Sequence, residues 1–415
     1  MMRKTTVPAS LLLIVILSVL VVACGSESTQ KQDGKKAGSG SEKNEQTAVT
    51  GEGTSQQPGS AGGGGQQTNI GRTADVVINE SSYVSPLTEL FGEILIGQDD
   101  FVAASSVLRA APGLQVELGD GATVKDNIVV RAKHESVTIG DESNLGHHAI
   151  VRDSKIGDST YIGYNTEIED SRVGDGALVY HGARVEGVEI PDDAYVAAGK
   201  VVTDQATADE LPSIEEVGVD EYYHEALLDI HRELTQGYIE LFETEGYDSV
   251  LEVGVNPETS FNPEQTKPQL GENVERQEFV RIVGDVRVGE NSSVGRRTAI
   301  RADEGTPIVI GPGASIDDRV TFHAVKGTDV RAGEFLVVDD DAVLHGPLEV
   351  GNRVFVGEHA VVFRARLGDD VRIGEGAIIV GPEGPADKIM EIPDGTLVPA
   401  GTVVTTEKDV RALER

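Results

Sequence analysis

An aliphatic residue followed by glycine, and then commonly by an acid or asparagine, recurs through most of this chain. It appears at Ile96-Gly97, Leu118-Gly119, Ile139-Gly140-Asp141, Ile156-Gly157-Asp158, Ile162-Gly163 and Val173-Gly174-Asp175. It returns at Val288-Gly289-Glu290, Val294-Gly295, Ile310-Gly311, Val350-Gly351-Asn352, Val356-Gly357-Glu358, Leu367-Gly368-Asp369 and Ile373-Gly374-Glu375. Several neighbours are six residues apart, as at 156/162, 288/294, 350/356 and 367/373. A six-residue period with one inward aliphatic and a turn glycine is the hexapeptide signature of a parallel β-helix. Short β-branched runs between the glycines, such as Ile128-Val129-Val130, fit its strands.

The repeat also exists on a larger scale. Leu108-Arg109-Ala110-Ala111-Pro112-Gly113 matches Ile300-Arg301-Ala302-Asp303-Glu304-Gly305, 192 residues on. Ile190-Pro191-Asp192-Asp193 with Ala198-Gly199 likewise matches Ile392-Pro393-Asp394-Gly395 with Ala400-Gly401. The chain therefore reads as an all-β solenoid in two tandem copies, the first over 75–243 with a C-terminal helix, the second over 278–415. Ala226, Ile230, Leu234 and Tyr238, at four-residue steps, predict an amphipathic helix near 220–241. Residues 244–277, with Pro257, Pro263 and Pro268, are expected to link the copies.

Residues 1–24 read as a secretory signal, with Arg3 and Lys4 ahead of a mostly apolar stretch. The stretch ends in Val21-Val22-Ala23-Cys24, which resembles a bacterial lipoprotein cleavage box with Cys24 as the lipidated residue. Residues 25–70, built of Gly, Ser, Gln, Lys, Glu and Thr, cannot bury enough surface to offset their ordering entropy and read as a polar tether. These features predict an extracytoplasmic protein held to the cell membrane by lipid. Cys24 is the only cysteine, so no intramolecular disulfide can form. Thirty-five Lys and Arg face 70 Asp and Glu, a net charge of −35 that argues against nucleic acid as a partner.

Chemistry-bearing residues concentrate between Ile300 and Pro347: Arg301, Asp303 and Glu304, then His323, then His345 in His345-Gly346-Pro347. Two histidines are an incomplete zinc site, since three protein ligands are normally needed. These residues resemble the gamma class of carbonic anhydrases, over roughly 85–240 and again 278–410. That family consists of left-handed β-helices that assemble as trimers and hold zinc at subunit interfaces. In it an Arg-x-Asp-Glu-Gly segment precedes a first zinc histidine, a third sits in His-Gly-Pro, and the second, five residues earlier, comes from the neighbouring subunit.

The resemblance places His323 and His345 at the first and third ligand positions of the second copy, whose middle position holds Asp340. In the first copy Arg131 and Arg152 stand at the outer positions and His147 at the middle one. The copies are complementary, so His147 is expected to complete a composite site with His323 and His345 if the copies pack as family subunits do. The implied activity is metal-dependent interconversion of carbon dioxide and bicarbonate, with zinc as the metal and iron or cobalt as possibilities. Glu304 is the implied proton acceptor, Arg301 and Asp303 form an interface ion pair, and Asp317 takes the place of a glutamine beside the metal-bound water. An oligomer based on trimeric β-helix packing follows from the same resemblance. His148, His181, His224 and His231 are left as surface residues, with His231 able to approach the site mouth. The family's acidic loop is replaced by Ala324-Val325-Lys326-Gly327, which leaves an inactive metal-binding or structural module as an alternative. A hexapeptide acyltransferase shares the coil, but no long loop carries a lone catalytic histidine.

Overall fold

A computed structural model describes residues 75–218, 222–382 and 388–413, which fall within one compact unit, Gly65–Arg415. The signal, the tether and Cys24 lie outside the described residues. From Val76 to Val202 the chain winds into a left-handed solenoid with three seven-stranded sheets, all strand pairs parallel. Strands two to four residues long suffice because each rung hydrogen-bonds to the rungs above and below. Along one sheet the inward residues Val84, Val102, Val124, Leu145, Ile162, Val179 and Val196 stack into a fully buried ladder. This ladder is the structural meaning of the aliphatic-glycine period.

The second solenoid repeats the plan with one change. Strands Val343–Val350 and Val361–Leu367 run around a corner and fuse two of its faces into a 13-stranded sheet, leaving the third as a separate seven-stranded sheet. Its lowest rung begins earlier than the sequence suggests. Strands Val253–Gly254, Gln269–Leu270 and Glu275–Arg276 pair with the next rung. The expected linker over 244–277 is therefore largely solenoid, and Leu270-Gly271-Glu272 carries the same punctuation as the other rungs.

Between the solenoids runs the helix Tyr222–Glu245. Ile230, Leu234, Tyr238 and Leu241 on its apolar stripe pack against Tyr83 and Phe101 of the first solenoid. The side chain of Ala226, the first step of the expected stripe, lies outside the described residues, as does that of His224. No helix among the described residues is long and apolar enough to cross a membrane.

The solenoids lie side by side. Tyr161, Tyr164, Leu178 and Tyr180 of the first, Leu227 of the helix, and Val343, Val361, Phe363, Ile378 and Val380 of the second form one shared apolar cluster. Polar contacts flank it: His148 Nε2 lies 2.9 Å from Thr321 Oγ1, and Asn165 Nδ2 donates to the His359 carbonyl at 2.7 Å. His148 is thus a buried interface residue and not a surface one.

Candidate metal centre

His323 and His345 occupy strands Thr321–Ala324 and Val343–Val350, on adjacent rungs and in direct register. Strand alternation sends Phe322 and Leu344 into the second core and the two histidines outward, onto the face that meets the first solenoid. His147 comes from that first solenoid, at the corner after strand Asn144–Leu145. The corner is tight. A Cβ on Gly146 would meet the Tyr164 ring at 2.8 Å, and the next residue, His148, sits in the left-handed region at φ 62°. Gly346 is needed for a similar reason, since a Cβ there would lie 2.4 Å from the Asp329 carbonyl. All three histidines are buried, and one nitrogen from each lies within 4.8 Å of the other two.

Their neighbours assign the protons. His345 Nδ1 lies 3.0 Å from the Gly346 carbonyl, which only accepts, so Nε2 presents a lone pair. His323 Nε2 faces two acceptors, Asp303 Oδ1 at 3.3 Å and Glu304 Oε2 at 3.8 Å, and Nδ1 faces His345. His147 Nδ1 lies 3.3 Å from Asp126 Oδ2, which leaves Nε2 free. The His147–Asp126 and His323–Asp303 contacts lack the alignment of full hydrogen bonds, and both nitrogens of His147, Nε2 of His323, Oδ1 of Asp126 and Asp303, and Glu304 Oε2 have no hydrogen-bond partner. His323 Nδ1 and His345 Nε2 stand 3.2 Å apart, within N–H···N hydrogen-bond distance in one pair of tautomers. The same spacing suits a shared cation, because zinc–nitrogen bonds of about 2.0–2.1 Å in a tetrahedron put ligand nitrogens about 3.3 Å apart.

Arg301 joins the two halves. It donates through Nε to Asp126 Oδ2 of the first solenoid at 2.9 Å and through Nη1 to Asp303 of the second. It also lies over the Phe101 ring, 5.8 Å from the centroid. Tyr238 on the helix donates to Asp303 Oδ2 at 2.5 Å, so the helix and the second solenoid meet at this carboxylate and the first solenoid reaches it through Asp126 and Arg301. Burial alone would raise the Asp303 carboxyl, but the Arg301 charge overrides it and holds the group well below the usual carboxylate range. Burial, reinforced at His147 by the Lys125 charge, keeps His147 and His345 neutral in the physiological range, the state a metal requires.

Several expected site residues lie elsewhere. Asp317 is exposed on the corner of the second solenoid that corresponds to the His147 corner of the first. It clusters there with Asp318, Asp339 and Asp340; partial burial and then Asp340 push its carboxyl up. It makes no contact with the three histidines among the described residues, because only the first solenoid's version of this corner is packed into the interface. Lys125 holds the equivalent place there, after strand Thr123–Val124 as Asp317 follows Ser315–Ile316. The 192-residue offset pairs the two and was the available signal. Asp340 is exposed as well, and in the first solenoid Arg131 is exposed while Arg152 pairs with Glu167 and Glu169 on an outer face. His181 and His231 are buried, against expectation. His181 Nδ1 accepts from the Tyr164 amide at 2.9 Å, and burial takes its ring down to about 3. His231, on the helix, contacts Asn144 Nδ2 at 3.4 Å beside the site.

The fold and site thus define a left-handed β-helix protein with a three-histidine cluster at the contact between two solenoids. No family model matches the chain. A carbonic anhydrase from Methanosarcina thermophila is 30% identical over 185 residues, 40% of this chain and 72% of that protein. The carboxysome assembly protein CcmM of a Nostoc species is 28% identical over 167 residues, and that of a Synechocystis species 33% identical over 156. The chain spans only 29% and 22% of those two proteins. Among solved structures, a hexapeptide transferase family protein from Anaplasma phagocytophilum matches with a TM-score of 0.33 at 17% identity, over 39% of this chain and 92% of that one. The chain belongs to the gamma-class carbonic anhydrase family.

Proposed function

We propose that this protein catalyses the metal-dependent, reversible hydration of carbon dioxide to bicarbonate at a centre made by His147, His323 and His345. The observation that carries the proposal is the pair of imidazole nitrogens 3.2 Å apart in a fully buried, carboxylate-backed setting, with His147 facing them from the other solenoid. Three neutral histidines suit zinc, ferrous iron or cobalt. Such an ion, when bound, supplies the Lewis acidity that brings water's pKa near 7 and makes a nucleophile available at neutral pH.

The chain's own residues divide the remaining work. Asp126, Asp303 and the Gly346 carbonyl fix the orientation of the three imidazoles, and Arg301 locks the two carboxylates to each other across the interface. Tyr164 and Phe363, with ring centroids 5.0 and 5.1 Å from that of His345, wall the site with apolar surface. Glu304 is the proton acceptor: Oε1 is occupied by the Lys326 amide at 3.0 Å, while Oε2 is buried and free of hydrogen bonds. The Ala324-Val325-Lys326-Gly327 stretch after His323 contains no carboxylate, and Asp329 at the end of the loop is paired with Arg331 at 2.7 Å, which favours, as a second reading, a module that holds metal without fast turnover. A lipid anchor at Cys24, an extracytoplasmic location and further assembly through the outer solenoid faces complete the proposal.

The test is metal content and carbon dioxide hydration on the full chain. His147→Ala should lose the metal as completely as His323→Ala, although the two residues come from different solenoids. Retention of metal by the first variant alone would refute the composite centre. Metal without hydration activity in the unmodified protein would select the second reading.

A further inference from the structure

Lys125 lies one rung from His147 and next in sequence to Asp126, which contacts both His147 and Arg301. Its side chain is only 3% exposed. Buried cations are ordinarily paired, because an unpaired charge is costly to desolvate. Yet among the described residues no carboxylate lies within 4.0 Å of its ammonium. Arg301 occupies Asp126 and Asp303, and Glu304, the strongest opposite charge acting on Lys125, receives the Lys326 amide. The corresponding corner of the second solenoid carries the opposite charge, Asp317, in solvent, so the cation belongs only to the copy that supplies His147.

The buried charges give this lysine a task. Arg301 engages two of the three nearby carboxylates and Arg281 adds a further buried cation, so a divalent ion on the histidines brings two more positive charges to a place where Lys125 has no ion-pair partner. An anion between the ion and Lys125 offsets them. Resting on the metal-centre reading above, we propose that Lys125 is an anion anchor, holding a small oxyanion, bicarbonate in the proposed reaction, beside the three-histidine centre. A purely structural counter-ion to Glu304 would close to ion-pair distance, and Lys125 does not.

The experiment uses the full chain loaded with cobalt(II), whose visible absorption reports on metal uptake and on anion binding separately. Bicarbonate is titrated at constant pH into the unmodified protein, Lys125→Gln and Lys125→Arg. All three should load one cobalt, since burial by itself is the first cause that keeps His147 neutral. Loss of one charge-assisted hydrogen bond should weaken bicarbonate binding to Lys125→Gln by about ten- to a hundredfold, while Lys125→Arg retains it. Unchanged bicarbonate affinity in Lys125→Gln overturns the anchor and leaves the metal centre standing. Absence of cobalt uptake by the unmodified protein overturns both. If neither Lys125→Gln nor Lys125→Met folds, Lys125 is a structural counter-ion and the anchor is likewise overturned.

Discussion

Arg301→Gln tests what holds the two solenoids in register. The guanidinium is buried and bridges Asp126 of one solenoid to Asp303 of the other, and glutamine is too short to serve both. Removing one member of a buried ion network costs about 3–5 kcal/mol, and here two carboxylates are left with burial acting on them. The pH dependence gives the sign. In the unmodified protein Asp303 has a depressed pKa, so its contribution is fully present above the unfolded carboxylate value of about 3.9 and is lost only as pH falls below it. In Arg301→Gln the burial of Asp303 is no longer opposed by the guanidinium and raises its carboxyl, so the variant loses stability as pH rises. The gap between the two proteins should be widest near pH 8 and narrow towards pH 5. Urea unfolding at both values, in the presence of a chelator, measures it through tyrosine fluorescence, since the chain has no tryptophan. A gap of equal size at pH 5 and pH 8 would show that packing, and not charge, is at stake.

Three other perturbations have defined outcomes. Burial raises the Asp100 carboxyl to about 8, with Oδ2 unpartnered; a raised pKa contributes stability below about pH 4 that is lost as pH rises through 8, so Asp100→Asn should flatten the fall in urea midpoint between pH 5 and 8.5. Gly146→Ala forces a methyl against the Tyr164 ring and the backbone of Gly163, at a cost of about 1–3 kcal/mol, and should displace His147 enough to weaken metal retention in a chelator competition. Cys24→Ala should move the protein from the membrane to the soluble fraction or leave it unprocessed, and unchanged membrane association would count against lipidation.

The coil was legible because its signal is local: each aliphatic-glycine step both fills the core and turns the corner, so composition and geometry coincide. The helix was legible for the same reason, its buried stripe at Ile230, Leu234 and Tyr238 having a helical period. The histidine triad was readable only by comparing the two copies, since Asp340 and Arg152 reveal a loss and His147 its complement. Lys125, His148 and His231 gave no local sign of burial. What covers them is the other solenoid or the helix, and nothing in the flanking residues encodes a surface supplied from far along the chain. The rung at 253–276 is hidden because Pro257, Pro263 and Pro268 interrupt its aliphatic-glycine steps.

A metal centre divided between separate subunits exists only at concentrations where those subunits meet. Here Thr321, His323 and His345 face Asn127, His147 and His148 within a single polypeptide, and the encounter is intramolecular. Its effective concentration is set by the connecting segment and does not fall on dilution. Covalent joining also changes what selection can see. Once each half always meets the same partner, the ligand positions turned outward no longer serve a centre. Arg131 and Arg152 stand on strands of an outer face of the first solenoid and Asp340 on an outer corner of the second, where substitution carries no penalty for the histidines inside.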